Sequence, residues 1–245
     1  MPPLSAMDLL TLWDSGAGLD SMGRALAVLS ACCHDPSERL AALGIGERDA
    51  RLLDVYENLF GPKLEAFAEC PGCGERLEYE LSVLECKASR PAADQDSGSL
   101  EFSVRGVALR LRHLNSLDLS AASACSDPAR ARRLLAERSV VGASRDGIAV
   151  DPADLPDEAV AEISAHLAQS DPRAESMVDL QCPACGKMMQ QLLAIEDFLW
   201  SKLSALCKRL LFEVDALARA YGWSEAEILS MSAARRGKYL ELALS

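Results

Sequence analysis

The sequence predicts an α+β protein, mainly α-helical, in which two short strand-and-turn elements far apart in the chain come together. Three observations carry this expectation. The last fifty residues repeat apolar positions at the helical period, internal stretches alternate with period two, and the turns CPGCG (Cys70 to Gly74) and CPACG (Cys182 to Gly186) are near copies of each other. Composition agrees with a folded chain: 49% of the 245 residues are apolar, 25% are charged, and aromatics make up only 5%.

The first sixty residues read as helical. MDLLTLWDSG and MGRALAVLSACC place Leu9, Leu10, Leu12 and Trp13, then Met22, Leu26 and Leu29, at three-and-four spacing, with Gly16 and Gly18 between them. The next unit, SERLAALGIGERDARLLDVYENLFGP, sets Leu52, Leu53, Tyr56, Leu59 and Phe60 on one face and ends at Gly61-Pro62. After the first cysteine turn, RLEYELSV alternates Leu77, Tyr79, Leu81 and Val83 with polar residues, which predicts a half-buried strand. KASRPAADQDSGS is turn-rich and reads as a surface linker. LEFSVRGVALRLRHL, pivoting on Arg105-Gly106, predicts a β-hairpin.

Helices return in SDPARARRLLAERSV, where Asp127 caps the free amides and Pro128 occupies the first helical position. After a turn at Asp146-Gly147, LPDEAVAEISAHLAQSDP predicts another helix that stops before Pro172. ESMVDLQ predicts a strand leading into the second cysteine turn, and KMMQQLLAI follows it. From Ile195, apolar residues at Phe198, Leu199, Leu203, Leu206, Leu210, Leu211, Val214, Leu217 and Tyr221 predict a helix of roughly seven turns at the 3.6-residue period. Gly222 closes it, Ser224 and Glu227 form a capping box for the next helix, and SAARRGKYLELAL forms the last.

Two Cys-x-x-Cys turns supply four thiolates, the ligand set of a closed tetrahedral zinc site, and their position beside strands is the build of a zinc ribbon. A single structural Zn2+ on Cys70, Cys73, Cys182 and Cys185 is therefore expected. The long intervening segment is tolerable, because each doubling of loop length costs only about 0.6 kcal/mol. The resulting architecture is a discontinuous zinc ribbon with an inserted hairpin-and-helix subdomain and a C-terminal helical region. Its expected boundaries are an N-terminal helical region at 1–62, the ribbon halves at 63–90 and 174–195, the insertion at 91–173 and the C-terminal region at 196–245. The alternatives are two redox dithiols and cysteines with no ligand role. Thioredoxin-like pairs sit between a strand and a long helix that opens at the first cysteine, a setting these turns lack.

Of the other cysteines, Cys86 reads as a core thiol near enough to the first turn to be a substitute ligand. Cys32, Cys33 and His34 look ligand-like but fall at a helix end without a partner pair. Cys125 and Cys207 read as helix-face fillers, and His113 and His166 as structural.

Catalytic signatures are missing. The three histidines suggest no triad, GIGERDA lacks the features of a phosphate loop, and a zinc with four sulfur ligands has no open position for water. A non-enzymatic protein is expected. With 25 basic and 37 acidic residues the net charge is −12, which disfavours a nucleic-acid partner despite basic clusters at Arg130, Arg132 and Arg133 and at Arg235, Arg236 and Lys238. A zinc-ribbon regulator that binds nucleic acid is the runner-up reading. No run of about 18 uninterrupted apolar residues occurs. MPPLSAMDLLTLWDSG lacks the basic and apolar regions of a signal peptide, so a cytoplasmic chain is expected, with cysteines held as thiols or ligands.

CPACGKMMQQLLAIEDFLWSKL, RLLFEVDALARAYGWSEAEILSMSAARRGKYLELAL and GERDARLLDVYENLFGPKLEAFAECPGCGERLEYEL together resemble the T-even-type phage baseplate hub assembly chaperone family of tailed-phage and contractile-injection-system gene clusters. The resemblance covers about half of the chain, the middle third agreeing only in general organisation. It implies a non-enzymatic assembly factor whose partners are baseplate or hub proteins of a contractile tail. Glu213-Val214-Asp215 departs from the Glu-Val-His of the group, so no histidine role carries over to Asp215. The exposed face of the last helices, with Trp200, Trp223, Arg235, Arg236 and Tyr239, is the expected partner contact, set against the reading that each aromatic is core.

Overall fold

The computed structural model describes residues 4–33, 35–88 and 99–244. Two compact units divide the chain. One is formed by Met1–Asp35 with Ile195–Ser245, and the other by Pro36–Ala194. The segment 1–62, expected as one helical region, is thus shared between them. His34 and residues 89–98 of the expected linker lie outside the described residues.

The first unit is all helical. Helix α1 (Ala6–Gly16) opens on a capping box between Ser5 and Asp8, and α2 (Ser21–Cys32) is capped by Asp20. The long helix α9 (Ile195–Tyr221) runs 27 residues, and its buried Leu199, Leu203, Cys207, Leu210 and Leu217 recur at the helical period. Helix α1 lies on α9 through three specific contacts. Trp13 Nε1 donates to Ser204 Oγ at 3.1 Å, the Cys207 thiol donates to the Leu9 carbonyl at 3.4 Å, and the Trp200 ring fills the space over Gly16. Gly222 ends α9 with a left-handed φ of 69°, the Ser224–Glu227 box starts α10 (Glu225–Leu229), and α11 (Ala233–Leu244) returns onto α9.

In the second unit, the helical segment expected after Pro36 forms as two helices, α3 (Ser37–Ala41) and α4 (Ile45–Phe60), with the chain breaking at Leu43-Gly44 between them. Strand β1 (Lys63–Glu69) pairs antiparallel with β2 (Arg76–Ser82), with the first cysteine turn between them. The strand stops one residue short of expectation: Val83 begins α5 (Val83–Ala88). The predicted hairpin forms from β3 (Leu100–Val104) and β4 (Val107–Leu111), with both Arg105 (φ 50°) and Gly106 (φ 77°) left-handed, as a two-residue hairpin turn requires.

That hairpin is half of a larger sheet. Helix α6 (Ser116–Ser123) and helix α7 (Pro128–Ser139, capped by Asp127) follow it, and the chain then adds β5 (Val140–Arg145) and β6 (Ile148–Ala149) in the order β3-β4-β5-β6. Helix α8 (Asp157–Ser170) completes a core of Val104, Val107, Leu109, Leu111, Ala136, Val160, Ile163 and Leu167. Strands β7 (Met177–Gln181) and β8 (Met188–Leu192) form a second two-stranded hairpin around the second cysteine turn.

Two polar junctions tie these elements together. The Asp118 carboxylate, fully buried, accepts from Arg112 at 2.6 and 2.9 Å and from Arg138 Nε at 2.7 Å, joining α6 to α7 and to the residue that follows β4. Asp171 Oδ2 accepts from the Gly46 amide at 3.0 Å, so the end of α8 meets the start of α4.

A methyl group at Gly16 would run into the Trp200 ring, so Gly16→Ala is expected to destabilise the first unit by about 1–3 kcal/mol in urea denaturation. Burial of Asp118 opposes its ionisation, but the two guanidinium partners and the Asn115 amide outweigh that and hold its pKa below the ordinary carboxylate value. The stability it contributes is complete above the unfolded pKa of about 3.9 and is lost as pH falls through the lower folded value. Asp118→Asn is expected to cost about 3 kcal/mol at pH 7, and less at pH 3, in denaturation curves at the two pH values.

Candidate metal centre

Each cysteine turn is built by the same backbone bonds. In the first, the Cys70 amide donates to the Glu75 carbonyl at 2.8 Å and the Gly74 amide to the Cys70 carbonyl at 2.9 Å. In the second, Cys182 donates to Lys187 and Gly186 to Cys182, both at 2.9 Å. Gly74 (φ 75°) and Gly186 (φ 74°) take the left-handed conformation that closes the turn, which is why glycine follows the second cysteine in both. The Gly72 amide also donates to Cys70 Sγ at 3.4 Å.

The two turns meet. The sulfurs of Cys70, Cys73, Cys182 and Cys185 all lie within 4.8 Å of one another. Cys70 Sγ is 3.6 Å from Cys185 Sγ, and Cys73 Sγ is 3.6 Å from Cys182 Sγ, so the first cysteine of each turn faces the second of the other. A tetrahedral tetrathiolate with metal–sulfur bonds of about 2.3 Å has edges of about 3.8 Å. The donor set therefore suits a closed, soft-ligand site. Cys70 and Cys182 are buried above Leu77 and Met189, whereas Cys73 and Cys185 are exposed.

Without a cation, four such thiols resist ionising together. The Gly72 amide first of all pulls the Cys70 thiol down to about 6, against the opposing effect of burial. Cys73 goes the other way, to about 12: the Glu75 amide favours its thiolate, but burial and the three neighbouring sulfurs outweigh it. A divalent ion removes this conflict by supplying the missing positive charge.

The remaining sequence candidates fall elsewhere. Cys86 sits on α5, outside the four-sulfur cluster. Cys32 is buried, which pushes its thiol up to about 11. His166 stacks on Phe102 with ring centroids 4.4 Å apart. His113 lines an apolar cavity of about 440 Å³ beside α7 and α8, and its buried Nδ1 has no partner among the described residues.

The expected contact face in the last helices needs correction at two positions. Trp200 is only 9% exposed, packed on Gly16 with the Arg24 guanidinium 5.1 Å from its ring. Arg236 is only 5% exposed, donating to Glu213 at 3.0 Å and to the Met231 carbonyl at 2.8 Å, so it fixes α11 to α9. Trp223, Tyr239 and Arg235 do gather: Trp223 stacks on Tyr221 at 4.5 Å, meets Tyr239 edge-on at 4.9 Å, and Arg235 lies 5.7 Å from the Tyr239 ring. Trp223 and Tyr239 are half-buried and Arg235 is exposed.

These features define an α+β protein, mainly helical, in which Cys70, Cys73, Cys182 and Cys185 are the one group of His, Cys, Asp or Glu side chains among the described residues placed to hold a metal ion. The chain belongs to the T4 bacteriophage base plate protein family, whose family model matches residues 20–200 and so spans both cysteine turns. Membership makes it a structural or assembly protein of the baseplate and not an enzyme. The segment 209–244 lies beyond the matched residues. No curated protein and no solved structure matches the chain. No helix among the described residues is long and apolar enough to cross a membrane.

Replacing Gly74 or Gly186 by alanine forces a side chain into the left-handed region and is expected to cost about 1–2 kcal/mol each, read by thermal denaturation.

Proposed function

We propose that this chain is an assembly factor, acting as a chaperone or a minor structural component, for the baseplate or hub of a contractile phage tail or injection system. It works in the cytoplasm where such particles are built, and its partners are baseplate or hub proteins. The observation that carries this reading is the family match over residues 20–200.

One structural Zn2+ on Cys70, Cys73, Cys182 and Cys185 completes the reading, making the two hairpins a discontinuous zinc ribbon. Support comes from the converging sulfurs and from the chemistry of four thiolates, which favours zinc and leaves it no open coordination position. The ion supplies a crosslink and nothing catalytic. The exposed part of the aromatic group around Trp223, Arg235 and Tyr239 is the proposed contact with a partner.

Protein purified without added metal is expected to carry one zinc per chain by elemental analysis. Chelation, or Cys182→Ser, is expected to lower Tm by at least about 5 °C. Deleting the gene from its cluster is expected to leave tails without complete baseplates in electron micrographs. Mass spectrometry of finished wild-type particles then separates the two roles: a chaperone is missing from them, and a structural component is present at fixed copy number. Normal contractile particles from the deletion strain would sink the assembly reading.

A further inference from the structure

Within the repeated CPxCG turns the middle residue differs: Gly72 in the first, Ala184 in the second. Backbone conformation does not require this glycine, because Gly72, unlike Gly74 and Gly186, lies outside the left-handed region. A close approach does. A Cβ on Gly72 would sit 2.8 Å from Lys187 Cδ, with Cys70 Sγ at 3.6 Å and Cys185 Sγ at 3.7 Å from the same point. The stem of Lys187, which belongs to the other hairpin, therefore lies against Gly72, at a point that is itself close to one sulfur from each turn.

The charge at the end of that stem has no carboxylate partner among the described residues, in a chain of net charge −12. The equivalent position of the first turn holds Glu75, and Glu69 Oε1 lies 4.0 Å from where a Cβ on Gly74 would sit. Acidic groups thus flank the first turn, and Lys187 brings a cation to it.

We propose that Lys187 is a positioning residue of the metal centre. Laid against Gly72, its permanent positive charge offsets the excess negative charge that four thiolates leave around a divalent ion, which tightens binding and slows release. Gly72 is glycine so that this side chain can pass. The proposal rests on the zinc reading above, and it concerns which residue outside the ligand set stabilises the occupied site.

The test is zinc competition against a chromophoric chelator, with Co2+ spectra confirming four-thiolate ligation in every variant. Lys187→Met keeps the stem and removes the charge; it is expected to bind Zn2+ about tenfold more weakly and release it faster, whereas Lys187→Arg stays near wild type. Added salt is expected to narrow the gap between wild type and Lys187→Met, since the effect is electrostatic. Gly72→Ala is expected to weaken binding in the wild-type background and to cost nothing in Lys187→Ala, because the two share one contact. Equal zinc affinity in wild type and Lys187→Met overturns the role of Lys187 alone. A wild-type chain that binds no zinc overturns the metal reading on which it rests.

Discussion

Four sulfurs from two turns occupy one small volume, although Cys73 and Cys182 are 109 positions apart in sequence. Much of the second unit follows from that constraint. Each turn needs a strand on either side to aim its pair of thiols, so β1 with β2 and β7 with β8 form two-stranded ribbons too small to be stable alone. Between the turns the chain builds a four-stranded sheet backed by α7 and α8, with its own apolar core. The apolar cluster under the sulfurs holds Leu77 and Met189 beside Cys70 and Cys182, a small area to join two ribbons.

The structural or assembly role of the family agrees with the way charged side chains are used inside this fold. The buried charged groups have structural duties. Asp118 joins two helices and the residue that follows β4, and Arg236 anchors the last helix to Glu213. The Glu213 that pairs with Arg236 lies in the segment where the family resemblance places Glu-Val-His, so the glutamate has a visible packing task even though the third position is Asp215 here.

What could be read from the sequence followed the strength of local signals. Helix α9, the Asp127 and Ser224 caps, the Arg105-Gly106 hairpin and the cysteine turns each carry a specific pattern, and each appears where expected. Strand β1 was hidden because its inward side chains are Leu64, Ala66 and Ala68, two of them too small to stand out, while Phe67 faces solvent. Helix α6 has a capping box between Asn115 and Asp118 at its start, but its eight residues are too few to show a period. Trp200 and Arg236, expected on an exposed face, are buried for a different reason. Their burial depends on Gly16 and on Glu213, contacts between distant positions that no local pattern reveals.

The first unit is assembled from α1 and α2 at one end of the described chain and α9 to α11 at the other. On a ribosome these parts emerge in the wrong order for prompt folding. The α1–α2 pair is finished early, yet Trp200, Ser204 and Cys207, which cover its apolar side, appear only after the whole second unit has been made. At about 5–20 residues per second that interval is on the order of ten seconds. The second unit is synthesised in that time, its β7–β8 hairpin last, and the early helices remain uncovered until the long helix α9 is released.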